Sequence, residues 1–514
     1  MKKKLKIFYT TDTHGYIFPL SYATNKKENI GLLGMKSVFK KDGNTLIIDG
    51  GDTIQGSPLA MYIGRQHLNN DEIHPIASVL NILGYDYVTL GNHDFNYGQN
   101  YLKNYIESLS AKVICANVEG LPILKSTIHQ LENGLRVGIV GGVTDWVNIW
   151  ENPNHLTGLV VSDAMTAIKK ELTELKLKNS LDFTICINHG GYERNINTDE
   201  IQSNSRENIA WEICRELDFD LLLTGHQHIP VEGQYVHGTF TVQAAQNAVH
   251  FIEIDAIYNE DKAWEFKSSF NEPVSDINSV LNVQSAGFEK LIQYEKETQL
   301  WLDKPVGTLD QELIASEKVD MALNGSDIAN FFNQIQLWAT DADISATSLG
   351  NVVKGFDPDV SIRDIVSTYV YSNTLSVILL TGKQVSLMLE RPAGYLELDN
   401  NGVPQVSRRF LEPKVEHYNY DFYANLTFDV DLAQPVGMRV KNIRVKNELL
   451  DENKTYKIVM NNYRSTGAGG YEILKQGKLI QQDATEISEL IIKYIEQHQF
   501  VTVKKYDAPN WIHQ

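Results

Sequence analysis

Five times in its first half, this chain passes through a short Val/Ile/Leu-rich run and stops on a side chain able to ligate a metal. The run "LKIFYT" leads to Asp12 and His14 in "TDTHG", "NTLIIDG" to Asp52 in "DGGDT", and "YDYVTL" to Asn92 and His93 in "GNHD". Further on, "LDFTICIN" ends at His189 in "NHGG", and "FDLLLTG" leads to His226 and His228 in "GHQH". Between the runs, "SDAMTAIKKELTELKLK" and "SRENIAWEICREL" carry apolar residues at helical spacing. Strands alternating with helices predict an α/β arrangement. In open α/β sheets, ligand sites lie beyond the carboxyl ends of the strands, so one sheet edge would collect all five endings.

Each ending alone has an ordinary reading: a His at a strand end is usually a satisfied structural residue, and an Asp before a turn is usually a cap. Taken together they point to a metal cluster. In extended segments, Asp-x-His and His-x-His would present both side chains of a pair on one side, because strand side chains alternate with period two. A nitrogen-and-oxygen set without thiolates suits two divalent ions drawn from Mn, Zn, Fe or Co, and suits Ca poorly. Two ions sharing a carboxylate form a common device for displacement at phosphorus.

At 514 residues the chain exceeds one ordinary core. Its periodicity predicts a catalytic domain over 1–275, a polar helical connector over 276–304 and an α+β domain over 305–514. A net charge of −19 argues against binding a nucleic acid polymer or an anionic membrane. A phosphate substrate would then need local cations, which metals supply. The three cysteines, Cys115, Cys186 and Cys214, sit in apolar contexts without CxxC spacing and are expected to be buried free thiols. "MKKKLKIFYTTDTHG" has too short an apolar stretch for a secretory leader, which suggests a cytoplasmic protein as the sequence stands, or a periplasmic or extracellular one if a leader was removed. No obligate protein partner is suggested.

The ordered blocks Asp-x-His, Gly-Asp, Gly-Asn-His-Asp, Asn-His-Gly-Gly and Gly-His-x-His resemble those of the calcineurin-like metallophosphoesterases. The second half resembles the additional domain of their two-domain 5′-nucleotidase type. This resemblance implies an N-terminal four-layer α/β/β/α metallophosphoesterase domain followed by a C-terminal α+β 5′-nucleotidase-type domain. It implies that Asp12, His14 and His228 hold one metal, that Asn92, His189 and His226 hold the other, and that Asp52 bridges them. It also implies that His93 meets the phosphoryl group or the leaving oxygen, as a charge-assisted donor.

In the 5′-nucleotidase branch the third block usually carries an Asp that orients the catalytic His, whereas Asn96 stands in that place here. An Asn positions an imidazole without lending it charge. "GNHDFNYG" instead resembles the 2′,3′-cyclic-nucleotide 2′-phosphodiesterase/3′-nucleotidase branch, with Asp94 in place of Glu, and "DGGDTIQGSPLAMYI" and "VYSNTL" also resemble that branch. The expected function is hydrolysis of 2′,3′-cyclic nucleotides to 3′-nucleotides, then to nucleoside and phosphate. The alternatives are a 5′-nucleotidase or UDP-sugar hydrolase of the same family, or a non-catalytic nucleotide sensor. The resemblance further implies that Tyr420 and Tyr463 sandwich the base, with Asn373 as a polar contact and "STGAGG" bringing backbone close beside the base.

Overall fold

The computed structural model describes residues 3–66, 72–201, 206–259, 263–278, 285–371, 373–412 and 414–512. It divides into two compact units, Met1–Gln299 and Leu300–Gln514. The connector expected over 276–304 contains the helix Ala286–Leu302. Its residues 279–284 lie outside the described residues.

Twelve strands of the first unit form two six-stranded sheets. In chain order they are β1 Lys3–Thr10, β2 Thr45–Asp49, β3 Tyr87–Val88, β4 Lys112–Val113, β5 Ser126–Gln130 and β6 Arg136–Val143. They continue as β7 Phe183–His189, β8 Leu221–Thr224, β9 Val231–Val236, β10 Thr239–Gln243, β11 Phe251–Tyr258 and β12 Trp264–Asn271. The sheet orders are β12-β11-β1-β2-β3-β4 and β9-β10-β8-β7-β6-β5. Strands β1 to β4 run parallel, with Thr10 opposite Asp49 and Asp49 opposite Val88. Strands β6, β7, β8 and β10 are likewise parallel. The runs that carry the candidate ligands therefore all end on the same side of their sheets.

The central strands are buried on both faces, and this explains why they read as nearly continuous apolar runs. Ile7, Ile48, Ile139, Ile185, Ile187 and Leu223 share one core between the two sheets. Cys186, one residue out of phase with Ile185 and Ile187, instead joins Ile168, Leu172, Trp211 and Ile213 from the helices Ala164–Lys178 and Ala210–Glu216. On the first sheet Phe8, out of phase with Ile7, stacks on Phe39 at 4.8 Å. The result is the α/β/β/α layering. All three cysteines are free and buried within it. Among the described residues, no helix is long and apolar enough to cross a membrane.

The second unit is α+β. Its main sheet comprises β13 Ile344–Ser348, β14 Thr374–Thr381, β15 Asp421–Ala424, β16 Thr455–Asn461 and β17 Lys478–Glu486. Their order is β15-β13-β16-β14-β17, with only the β13/β16 pair parallel. Ile344, Ile378, Ile458 and Met460 pack with Val385, Met388 and Leu389 of helix Gly382–Ala393.

Arg464 is buried at the end of this sheet, and its guanidinium pairs with Asp421 at 3.0 Å. It also donates to the carbonyls of Tyr418 at 2.8 Å and Ala468 at 2.7 Å, and to Asn419 Oδ1 at 3.2 Å. Gly469, at φ 73, lies so close that a Cβ there would sit 2.2 Å from Arg464 Nη1. Of the glycines in "STGAGG", Gly469 thus lies against the Arg464 guanidinium and Gly470 against that of Arg391. Truncating one partner of a buried ion pair leaves the other charged and unpaired, at a cost of about 3–5 kcal/mol. Arg464→Met is expected to lower unfolding stability by that amount in denaturant titrations, and an unchanged unfolding profile would remove Arg464 from this role.

Candidate metal centre

The chain leaves β1 at Thr10 and turns sharply rather than continuing extended. Asp12 and His14 lie at φ 52 and 49, Asp52 at 55, and His226 and His228 at 72 and 56. Five of the seven expected ligands thus occupy the left-handed region, where Asp, Asn and His are enriched but each still costs on the order of 1–3 kcal/mol. The period-two argument for the Asp-x-His and His-x-His pairs is therefore corrected. Left-handed turns aim these side chains, and strand alternation does not.

Several contacts hold the turns. Asp12 N donates to Gly51 O and His14 N to Asp52 O, both at 2.9 Å, which ties the first loop to the second. The third loop is tied to the second by Asp94, whose carboxylate accepts from the backbone N–H groups of Asp52, Thr53, Ile54 and Gly91 at 2.8–3.1 Å. Gly51 makes this approach possible, since a Cβ there would lie 2.4 Å from Gly91 N. The last loop is tied to the first by His226 N, which donates to Asp12 Oδ1 at 3.0 Å.

The hydrogen bonds also fix which nitrogens carry lone pairs. His14 Nδ1 lies 2.9 Å from Gln55 O and His189 Nδ1 lies 2.7 Å from Gly50 O. A carbonyl accepts only, so in the neutral rings both Nδ1 atoms carry the proton and both Nε2 atoms keep a lone pair, the arrangement found in metal-ligating histidines. His14 Nε2 faces His228 Nε2 at 3.1 Å, which in turn lies 3.2 Å from Asp12 Oδ1. His189 Nε2 comes within 3.1 Å of Asp52 Oδ2 without hydrogen-bond alignment. His226 Nε2 is engaged by Glu207 at 3.0 Å, so Nδ1 is the nitrogen left for ligation.

Two triplets follow, Asp12 with His14 and His228, and Asp52 with His189 and His226, each with ligand atoms mutually within 4.8 Å. Asp52 Oδ2, His189 Nε2 and Asn92 Oδ1 are buried without a hydrogen-bond partner, a costly state unless a cation meets them. Burial opposes charge on His189, yet Asp52 and Asp12 overcome it and push the imidazole up to about 10. Burial likewise opposes charge on Asp12 and Asp52, but His189 above all holds both carboxyls well below their usual range. His14 is pushed by burial down to about 4. The cluster thus demands positive charge, and its donor set fits two divalent cations.

His93 sits at the edge of this cluster, its ring centroid 5.5 Å from that of His14. Its backbone N–H donates to Asp52 Oδ1 at 2.7 Å, and its Nδ1 meets Asn96 Oδ1 at 2.8 Å. Asp94, Glu207 and Glu151, which lies 2.8 Å from the Asn96 amide nitrogen, escaped sequence reasoning as supports of the site beyond a loop role for Asp94. Only Asp94 left a local signal, as an acid directly after the "GNH" turn.

In the second unit, Tyr420 must be reassigned. It is 3% exposed, tilted over Tyr395 at 4.5 Å, with its hydroxyl donating to Ala322 O at 3.3 Å. Such a ring offers no face to a base. Two residues earlier, Tyr418 is half-buried and packs edge-on to Tyr371 at 6.2 Å. Tyr463 is half-buried as well. Asn373 is half-buried, and its carbonyl accepts from Ile487 N at 2.8 Å, which ties its backbone to the start of the helix Ile487–His498.

Burial, with the nearby Asp52 charge, raises the Asp94 carboxyl to about 6. Asp94→Asn removes that carboxylate from four backbone donors while leaving every ligand in place. Losses at such supporting positions are typically about 10–100-fold in metal affinity. Calorimetric titration with Mn²⁺ is expected to show that loss, and wild-type affinity in the variant would contradict the role assigned to Asp94.

Residues 5–230 match the profile "Calcineurin-like phosphoesterase", and residues 305–476 match "5'-nucleotidase, C-terminal domain". The chain is 25% identical to the trifunctional nucleotide phosphoesterase protein YfkN of Bacillus subtilis over 99% of its length, but spans only 38% of that protein. It is 25% identical to a 2',3'-cyclic-nucleotide 2'-phosphodiesterase/3'-nucleotidase of Yersinia enterocolitica, covering 90% of this chain and 80% of the relative. A Staphylococcus aureus protein described as a 5′-nucleotidase, solved in complex with alpha-ketoglutarate, superposes with a TM-score of 0.85 at 26% identity, covering 99% of this chain and 100% of that one. The α/β/β/α unit with its ligand-bearing strand ends, the α+β unit and these two profile matches together show that the chain belongs to the calcineurin-like metallophosphoesterases that carry a 5′-nucleotidase C-terminal domain, a family of hydrolytic enzymes that use divalent metal ions.

Proposed function

We propose that this chain hydrolyses 2′,3′-cyclic nucleotides to 3′-nucleotides, and these to nucleoside and phosphate, in preference to 5′-nucleotides. The observation that carries the proposal is the amide of Asn96 at His93 Nδ1, where the 5′-nucleotidase branch usually has a carboxylate. The activity named for the Yersinia enterocolitica relative supports the same reading.

Asp12, His14 and His228 would hold one divalent ion, and Asn92, His189 and His226 the other, with Asp52 shared. Bound there, the ions supply electrophilic stabilisation of the phosphoryl oxygens. The chain's own residues do the rest. The left-handed loops, locked by Asp94, aim the ligands before substrate arrives, so little reorganisation is needed during reaction. His93 has its backbone fixed on Asp52 and its Nδ1–H engaged by Asn96, so a proton carried in addition on Nε2 is the one that passes to the departing 2′-oxygen, which leaves the neutral Nδ1–H ring behind.

For the nucleoside, we assign Tyr463 together with Tyr418 in place of Tyr420. Arg464 donates to the Tyr418 carbonyl and lies 6.0 Å from the Tyr463 ring centroid, so one buried guanidinium adjoins both residues. Stacking on such rings is worth on the order of 1–3 kcal/mol per base and tolerates any base.

With Mn²⁺ present, kcat/KM is expected to be higher for 2′,3′-cyclic AMP and 3′-AMP than for 5′-AMP. A clear preference for 5′-AMP would overturn the cyclic-phosphodiester reading in favour of a 5′-nucleotidase. For the clamp, Tyr418→Ala is expected to raise KM about 5-fold or more with kcat nearly unchanged, whereas Tyr420→Ala lowers the thermal midpoint. An unaltered KM in Tyr418→Ala would remove that residue from the nucleoside site.

A further inference from the structure

The contacts behind His93 do not stop at Asn96. The Asn96 amide nitrogen donates to Glu151 Oε2 at 2.8 Å, and Glu151 is buried, with its side chain 5% exposed. Its other oxygen, Oε1, accepts from Asn152 N at 2.7 Å and lies 2.9 Å from His155 Nδ1. Glu151 directly follows the short helix Val147–Trp150, and Trp150 stacks on His226 at 5.4 Å with the rings 27° apart. One segment therefore braces a candidate metal ligand with one residue and reaches the His93 chain with the next.

We infer that Glu151 is a positioning residue for His93, acting through Asn96. The reasoning is one of hydrogen-bond polarity. An amide can face a histidine with either its oxygen or its nitrogen, so Asn96 alone leaves the His93 tautomer open. A carboxylate only accepts. Glu151 therefore requires the Asn96 nitrogen on its own side, which turns Asn96 Oδ1 toward His93 and places the proton on Nδ1. Nε2 is then left facing the reaction. The low-dielectric surroundings strengthen each link of such a chain, and the Glu151 charge polarises the amide that receives the imidazole N–H. A carboxylate beside the histidine would enforce the same order directly; here it stands one residue further back. This rests on the role proposed for His93 in hydrolysis.

The test is a reciprocal exchange. In Glu151→Gln the amide at position 151 can present oxygen or nitrogen, so the order is no longer enforced. In Asn96→Asp two acceptor-only carboxylates face each other across the distance that Asn96 and Glu151 now bridge. The double variant N96D/E151Q restores the order, since the carboxylate introduced at position 96 can only accept, from His93 on one side and from the amide introduced at position 151 on the other. With bis(p-nitrophenyl) phosphate and 2′,3′-cyclic AMP as probes and Mn²⁺ present, each single variant is expected to lose on the order of 10-fold or more in kcat with little change in KM. The double variant is expected to recover to within a few-fold of wild type. A Glu151→Gln enzyme within twofold of wild type, or a double variant showing the product of the two single losses, would overturn the inference.

A second readout needs no turnover. In proton NMR of the metal-free protein, a downfield imidazole N–H resonance absent from His93→Gln is expected in wild type and in the double variant but not in Glu151→Gln. Its persistence in Glu151→Gln would also overturn the inference. If wild type turns over neither probe while this resonance behaves as stated, the hydrolytic reading fails and the positioning role stands.

Discussion

Everything at this site depends on holding five non-glycine residues in left-handed backbone while two ionised carboxylates stay buried among imidazoles. Neither condition is favourable alone. Strain of that kind persists only where the surroundings over-determine it. Here that is done by Asp94, which gathers N–H groups from the second and third loops, and by the backbone bonds from Asp12 and His14 into the second loop. Among the described residues the buried carboxylates meet no Lys or Arg; they face imidazoles and accept from the Thr11 hydroxyl and from the backbone N–H groups of His226 and His93. A cation resolves that arrangement, and this is the physical sense in which the loops are built for metal.

Much of this could be read in the sequence because parallel strands have one chemical edge. An apolar run followed by Asp, Asn or His is a local pattern, and topology alone brings five such endings together. What the sequence concealed was conformational or long-range. The Asp-x-His spacing suggests alternation in a strand, but strand β1 ends at Thr10, before the pair begins. Glu151 is 55 positions from Asn96 and Arg464 is 43 from Asp421, and neither distance leaves a local trace. Tyr418 and Tyr420 share one face of an extended reading, so only burial separates a half-buried ring from one sealed against Tyr395.

The proposed function gives the two units different parts of one chemistry. In the first, buried charge is concentrated among the candidate metal ligands, and the protein's contribution is rigid placement. In the second, the buried Arg464–Asp421 pair ties together the segments that carry Tyr418 and Tyr463, the rings proposed for the base. Behind His93, an amide at Asn96 stands between the histidine and the Glu151 carboxylate of another loop, and this is the contact on which the proposed positioning role rests.

We propose that the seven side chains at the strand ends form one two-metal centre. Crystals grown with Mn²⁺ and measured on both sides of the Mn absorption edge test it directly. Such a centre gives two anomalous peaks, one among Asp12, His14 and His228 and one among Asn92, His189 and His226, with Asp52 touching both. A single peak, or two that do not share Asp52, would contradict it.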